Sequence, residues 1–220
     1  MSAAVSPLTR TSYPHLSRHE MLAFVPTDCR RVLDVGCNTG AFGEALKRER
    51  AGIEVWGVEP DHASAVRARQ LLDHVDEGFF GPDLSLPAHH FDAIIFNDVL
   101  EHMADPWAAL HLCRRWLAPG GVVLASLPNL LHQGTLWPLL HDRDFRYEDT
   151  GVRDRTHLRF FTRRSAVRMF EECRYDVLRA EGINENWWTP SLRRRLLYRL
   201  LAGPLQETKY VQFAFVARPV

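Results

Sequence analysis

Apolar positions along the chain fall into short blocks of two alternating kinds. "RRVLDVG", residues 30–36, is a compact apolar run that stops at glycine, the mark of a buried strand. "AFGEALKRER" follows with helical spacing from Ala41. "IEVWGVEP" reads as a second strand stopped by Pro60, and "DHASAVRARQLLD" as a second helix with Asp61 as its N-cap. "VDEGFFG" reads as a short third strand. "FDAIIFNDVL" has the unbroken apolar core of a strand covered on both faces. "PWAALHLCRRWLAPGG" reads as a helix ended by Pro119 and two glycines, and "VVLASLP" as a fifth strand. Strand and helix in alternation predict a doubly wound, parallel α/β sheet. Ahead of it, "YPHLSRHEMLAFVP" predicts a short helix closed by Pro26.

After residue 128 the pattern loosens. Residues 128–162 mix aromatics, histidines and charges without a period, as expected of an insertion that caps a substrate pocket. A helix is predicted over "RRSAVRMFEEC", 163–173. "YDVLRAEGI" and "KYVQFAFVAR" predict a terminal strand pair, the last strand antiparallel. Between them, residues 187–205 read as a helical insertion in which Leu192, Leu196, Leu197, Leu200 and Leu201 keep helical spacing, with arginines elsewhere. Such a face packs on its own domain, on a second subunit, or on an anionic membrane. The chain reads as a single domain, with residues 1–12 as a flexible tail.

Composition narrows the partners. With 27 basic and 27 acidic residues the formal net charge is zero, which argues against nucleic acid, since neutralising phosphates takes a net basic face. Four cysteines with no paired spacing imply a reducing, cytoplasmic setting. The first residues show no signal-peptide pattern, and no apolar run reaches the roughly 20 residues of a membrane span.

The stretch "VLDVGCNTGAFGEALK" carries the first chemistry. Small residues between a first strand and a helix let backbone approach a ligand closely, and the helix offers free N–H groups. Glu59 ends the second strand about 20 positions beyond the glycine turn, where a carboxylate accepts from ribose hydroxyls. A dinucleotide and S-adenosylmethionine both fit these two features. Spacing separates them: Gly36-Cys37-Asn38-Thr39-Gly40 lacks the second glycine of G-x-G-x-x-G.

That turn resembles the D-x-G-C-G-x-G turn of class I S-adenosylmethionine-dependent methyltransferases, with Asn38 where the family usually has glycine. "FDAIIFNDVLEHMADPWAAL" and "WLAPGGVVLASLPN" resemble the family's fourth- and fifth-strand segments. The resemblance implies a Rossmann-like seven-stranded sheet with a reversed last strand. It implies that Asp34, Gly36, Cys37 and Gly40 surround the methionine end of the cofactor. Glu59 would hold the ribose, Pro60 would lie by the adenine, Asp83 would meet the adenine amino group, and Asn97 would line the pocket. The family's usual G-D is interrupted here by Pro82, and the other reading of Asp83 is a turn cap.

Methyl transfer from a sulfonium is a direct displacement that needs alignment and, for a hydroxyl acceptor, a base. Asp98, Glu101 and His102, in "NDVLEHMADP", share one side of a helical turn by their offsets. His102 is a candidate base; the same three residues could instead orient substrate or hold a divalent cation. Ubiquinone-biosynthesis O-methyltransferases carry a similar E-x-x-E-H segment, associated with magnesium. The shorter Asp98 replaces its first Glu, and the expectation is that no metal is held. "GVRDRTHLRFFT" resembles a segment of methyltransferases found with surface-polysaccharide and quinone-type pathways. Asp154, Arg155 and Arg159 are its substrate-binding candidates and His157 a rival base. These features together predict a methyltransferase acting on a small molecule at oxygen, with a homodimer partner and peripheral membrane contact as candidate associations. The rivals are a module that binds S-adenosylmethionine without turnover and a nucleotide-dependent oxidoreductase.

Overall fold

The structure, a computed structural model, describes residues 17–185 and 205–220. The expected tail over 1–12 and nearly all of the expected insertion over 187–205 lie outside them. Seven strands form one sheet in the order β3-β2-β1-β4-β5-β7-β6. They are β1 (Arg31–Val35), β2 (Glu54–Glu59), β3 (His74–Glu77), β4 (Phe91–Asn97), β5 (Leu117–Pro128), β6 (Tyr175–Glu185) and β7 (Tyr210–Pro219). β1 to β5 pair in parallel, and β7 runs antiparallel to both β5 and β6, giving the reversed strand that the family resemblance implied.

Alternation along the central strands feeds two cores. Leu33 and Val35 of β1 and Ile94 and Phe96 of β4 point to one face. Val32, Ala93 and Ile95 point to the other. With both faces covered, these strands have no polar side, which is why they read as continuous apolar runs. Helices α1 (His19–Leu22), α2 (Ala41–Glu49), α3 (His62–Ala68), α4 (Pro106–Cys113), α5 (Gln133–His141) and α6 (Arg163–Glu172) complete the architecture. Asp61 caps α3 by accepting from the Ser64 N–H at 2.8 Å. At α6, Thr162 and Ser165 form a reciprocal capping box. Among the described residues, no helix is long and apolar enough to cross a membrane.

Three elements differ from the sequence pattern. The first helix is a single turn, because Arg18 takes a left-handed conformation (φ 47°) immediately before it. α4 stops at Cys113, and "LAPGG" belongs to β5, entering the sheet through a register shift between Phe91 and Ala93. The aperiodic stretch after 128 holds α5, of which only Thr135 is buried. In this order of strands β1 and β4 lie side by side while their crossovers leave in opposite directions. The crevice at their carboxyl ends is where doubly wound sheets bind ligands.

Candidate active site

The turn after β1 is built on left-handed backbone: Gly36, Asn38 and Gly40 have φ of 69°, 51° and 82°. Asn is among the few L-residues that visit this region routinely, so the loop keeps its shape without a central glycine. Gly36 is required on a second count, since a Cβ there would lie 2.7 Å from Cγ2 of Val99. The Gly36 and Cys37 N–H groups donate to the Val58 carbonyl at 2.8 and 3.2 Å, which ties the turn to β2.

Glu59 completes that tie. Its Oε2 accepts from the Asn38 N–H at 2.8 Å and its Oε1 from the Asp61 N–H at 2.9 Å. The carboxylate is 8% exposed, and burial raises its pKa against the opposing pull of those two N–H groups. Asp34 is 2% exposed; burial, and then the charge of Glu59, push it up to about 8. Burial likewise pushes the Cys37 thiol up, leaving it a packing group.

Asn97, at the end of β4, has both side-chain amide atoms buried and without a hydrogen-bond partner. A primary amide is seldom left so in a protein interior, and a polar ligand in the crevice would satisfy it. The cradle at Gly36 and this amide fit a cofactor with a polar amino-acid end. Pro60 and Asp83, the adenine-side candidates, are exposed, Asp83 on the turn after β3.

Asp98, Glu101 and His102 do not share one face. The chain leaves β4 with Asp98 in a left-handed conformation (φ 57°), and the 3-10 turn begins only at Leu100. Helical offsets therefore do not apply to Asp98. Its Oδ1 accepts from Ser126 Oγ at 2.8 Å and Gln212 Nε2 at 2.6 Å, and its Oδ2 from Arg18 Nη1. With both oxygens so engaged, the residues do not fit the magnesium arrangement of E-x-x-E-H. Arg18 was not apparent from sequence. Its guanidinium also reaches Gln212 Oε1 at 3.4 Å and pairs with Glu20 at 2.7 Å, which fastens the N-terminal segment over this end of the sheet.

Glu101 and His102 meet the cap instead. The Leu158 and Arg159 N–H groups donate to the Glu101 carbonyl at 2.8 and 3.0 Å. The His102 and His157 rings lie 4.7 Å apart, and His157 Nε2 is 4.0 Å from Glu101 Oε1. Glu101 is 1% exposed with neither carboxylate oxygen hydrogen-bonded, and burial pushes it up to about 8. His102 Nδ1 lies 3.2 Å from the Thr156 carbonyl, and His157 Nδ1 lies 3.3 Å from that of Val152. A carbonyl only accepts, so each ring is placed to donate its Nδ1–H there.

The remaining cap candidates stand elsewhere. Buried Asp154 accepts from the Thr156 N–H at 2.9 Å and its hydroxyl at 2.7 Å, closing a turn. Arg155 is exposed and pairs with Asp149 at 2.6 Å, and Arg159 donates to the Ala104 carbonyl at 2.5 Å. Both guanidinium groups thus serve contacts within the chain, where the sequence suggested an anionic substrate.

The sequence profile of the methyltransferase-domain family matches residues 11–180, more than three-quarters of the chain. The chain belongs to the class I S-adenosylmethionine-dependent methyltransferases. S-adenosylmethionine is accordingly its cofactor. Among similar proteins is the ubiquinone biosynthesis O-methyltransferase of Alkalilimnicola ehrlichii, 33% identical over 117 residues that cover 50% of this chain and 47% of that one. Its counterpart in Psychrobacter arcticus is 33% identical over 145 residues, covering 62% and 56%. The chain thus spans about half the length of the curated relatives it matches. A SAM-dependent methyltransferase from Archaeoglobus fulgidus shares the methyltransferase fold with TM-score 0.66 and 21% identity, covering 90% of each chain. The [4+2]-cyclase SpnF shares it with TM-score 0.58 and 20% identity, covering 91% of this chain and 80% of that one, so the fold by itself does not fix the reaction.

Proposed function

We propose that the protein transfers a methyl group from S-adenosylmethionine to a hydroxyl oxygen of a small molecule. The observation that carries this reading is adjacency: the glycine turn with Glu59 opens at the same sheet end as the imidazole cluster after β4. The relatives named as O-methyltransferases favour oxygen as the acceptor atom. Asp34, Gly36, Cys37 and Gly40 would surround the methionine end of the cofactor and Asn97 would meet its polar groups. Glu59 would accept from the ribose hydroxyls, with Pro60 and Asp83 on the adenine side. S-adenosylmethionine supplies an activated methyl carbon on a good leaving group.

The protein's part is alignment, exclusion of water and management of one proton. The cap segment 151–162, fastened through the Glu101 carbonyl, shields the acceptor. His102 is less buried than Glu101 or His157, so it is the group to receive the acceptor's proton. His157, 9% exposed and next to Glu101, backs it from the cap side. A labelled-methyl assay across phenolic and aliphatic alcohols, with matched amines, tests the reading. Transfer to alcohols, lost in His102→Ala, is expected. Transfer confined to amines would overturn the choice of oxygen, and no transfer by a chain that binds S-adenosylhomocysteine would favour a binding module.

A further inference from the structure

We infer that the protein pairs with a second copy of itself through the free edge of β6, antiparallel and in one register, with Ala180 of each copy at the twofold axis. The two edges of the sheet are unlike. β3, at one edge, is four residues long and carries His74, Asp76 and Glu77. Such a short, charged strand is a poor template for pairing. β6, at the other edge, runs for 11 residues, about twice the usual strand. A long edge strand offers a row of main-chain donors and acceptors to another chain.

Alternation along β7 fixes which groups of β6 face outward. The Asn129 N–H donates to the Val211 carbonyl at 2.8 Å, so Val211 spends its main-chain groups on the β5 side. The Val220 N–H donates to the Arg174 carbonyl at 3.0 Å, on the β6 side. Odd-numbered residues of β7 therefore face β5 and even-numbered ones face β6. Val216, Ala214 and Gln212 stand opposite Arg179, Glu181 and Ile183, which complete those pairs. The N–H and C=O of Ala180 and Gly182 consequently point away from the sheet, and among the described residues nothing bonds them.

The side chains select the partner and the register. Arg179 and Glu181 lie on one face of β6, where the guanidinium donates to both carboxylate oxygens at 2.9 and 3.2 Å. With Ala180 opposite Ala180, Arg179 of each copy stands opposite Glu181 of the other, at the roughly 4.5–5.5 Å between Cβ atoms where cross-strand pairs interact. The four charges then close a set in which every neighbour has the opposite sign. A slip of two residues either way sets Arg179 against Arg179 or Glu181 against Glu181, and like charges directly opposite destabilise a ladder. A slip of one brings the wrong faces together. Charges of a single sign would guard this edge, whereas alternating ones make it complementary to itself. Leu178, 50% exposed at the bulge between Val177 and Arg179, would lose part of that exposure. Antiparallel pairing turns the two crevices in opposite directions, so each copy keeps a complete site and the pairing does not depend on methyl transfer.

The test is sedimentation equilibrium of the full chain, without cofactor or acceptor, up to about 200 µM protein. Pairing along one edge buries less than a standard interface, so a reversible dimer with a dissociation constant of about 1–100 µM is expected. Arg179→Glu and Glu181→Arg, made singly, should each weaken the dimer at least about tenfold, and the double exchange should return it to within about threefold of wild type. Ala180→Pro removes the N–H at the axis from both copies, leaves the bonds to β7 in place, and should abolish the dimer. It keeps the edge testable where a charge variant does not fold, since Arg179 also donates to the Ala23 carbonyl at 3.1 Å. Circular dichroism reports folding for every variant. A wild-type chain that stays monomeric at the highest concentration, a dimer that survives Ala180→Pro, or a double exchange no tighter than either single variant would each overturn the pairing.

Discussion

Glu59→Ala separates what the carboxylate does for the protein from what it does for the cofactor. Its two oxygens accept from the Asn38 and Asp61 N–H groups at 2.8 and 2.9 Å in the protein alone. Removing it leaves two sheltered N–H groups short of a partner, at about 1–3 kcal/mol each when water cannot reach them. A loss of roughly 2–4 kcal/mol lowers the melting temperature by about 5–15 °C in a chain of this size. Affinity is affected separately. One charge-assisted bond to a ribose hydroxyl is worth roughly 1.5–3 kcal/mol, or about ten- to 150-fold in binding. The slackened Asn38 turn adds to that. Glu59→Gln keeps one acceptor but must turn its amide NH2 toward a backbone N–H, so it should fall between wild type and alanine in both measurements. The assays are calorimetric titration with S-adenosylhomocysteine and thermal unfolding without it. A folded Glu59→Ala protein that binds within about threefold of wild type would refute the ribose assignment, even with its melting temperature lowered as expected.

Three further outcomes are expected. His102→Ala should lower kcat by at least about a hundredfold with S-adenosylhomocysteine affinity nearly unchanged, while His157→Ala should mainly raise KM; steady-state kinetics showing the opposite split would exchange their roles. Asp34 is held near 8 in the folded state against 3.8 as a free side chain, so the folded form binds the extra proton and the cofactor-free protein should lose stability as pH rises from about 4 to about 8. Asp34→Asn should remove up to about 1.4 kcal/mol per pH unit of that slope, and parallel urea-melt profiles for the two proteins would contradict the burial cost. Gly57→Ala would put a Cβ 2.5 Å from Cys37 Sγ and 2.9 Å from Leu72 Cδ1, destabilising by about 1–3 kcal/mol. Cys37→Ala in the same chain should recover part of that loss in a thermal melt.

What the sequence revealed and what it withheld divide along chain distance. β1 and β4 were legible because burial on both faces leaves an apolar run, and the place of Glu59 at the end of β2 was legible because the glycine turn lies one strand–helix unit away. α5 was not: with only Thr135 buried and Pro138 inside it, the helix has no apolar stripe to read. The Arg18–Asp98 pair joins residues 80 apart, and nothing in either neighbourhood announces the other. The same holds for Glu101 and His157, which the fold brings together from the β4 turn and the cap. Offsets of three and four predicted that Asp98 would join Glu101 and His102, but such offsets hold only where the backbone is helical. One left-handed residue sent that carboxylate elsewhere.

The cap is held to the turn after β4 by N–H groups of residues 158 and 159 on the carbonyl of residue 101. Those groups belong to the main chain, so any amino acid except proline can supply the two donors. Descendants of this chain could therefore exchange exposed side chains of this segment without casting it adrift. Leu158, Arg155 and Arg159 stand on that replaceable surface. Variation of that surface and retention of the anchorage would then be separate evolutionary problems, and a proline at either of the two donor positions would be the substitution that joins them.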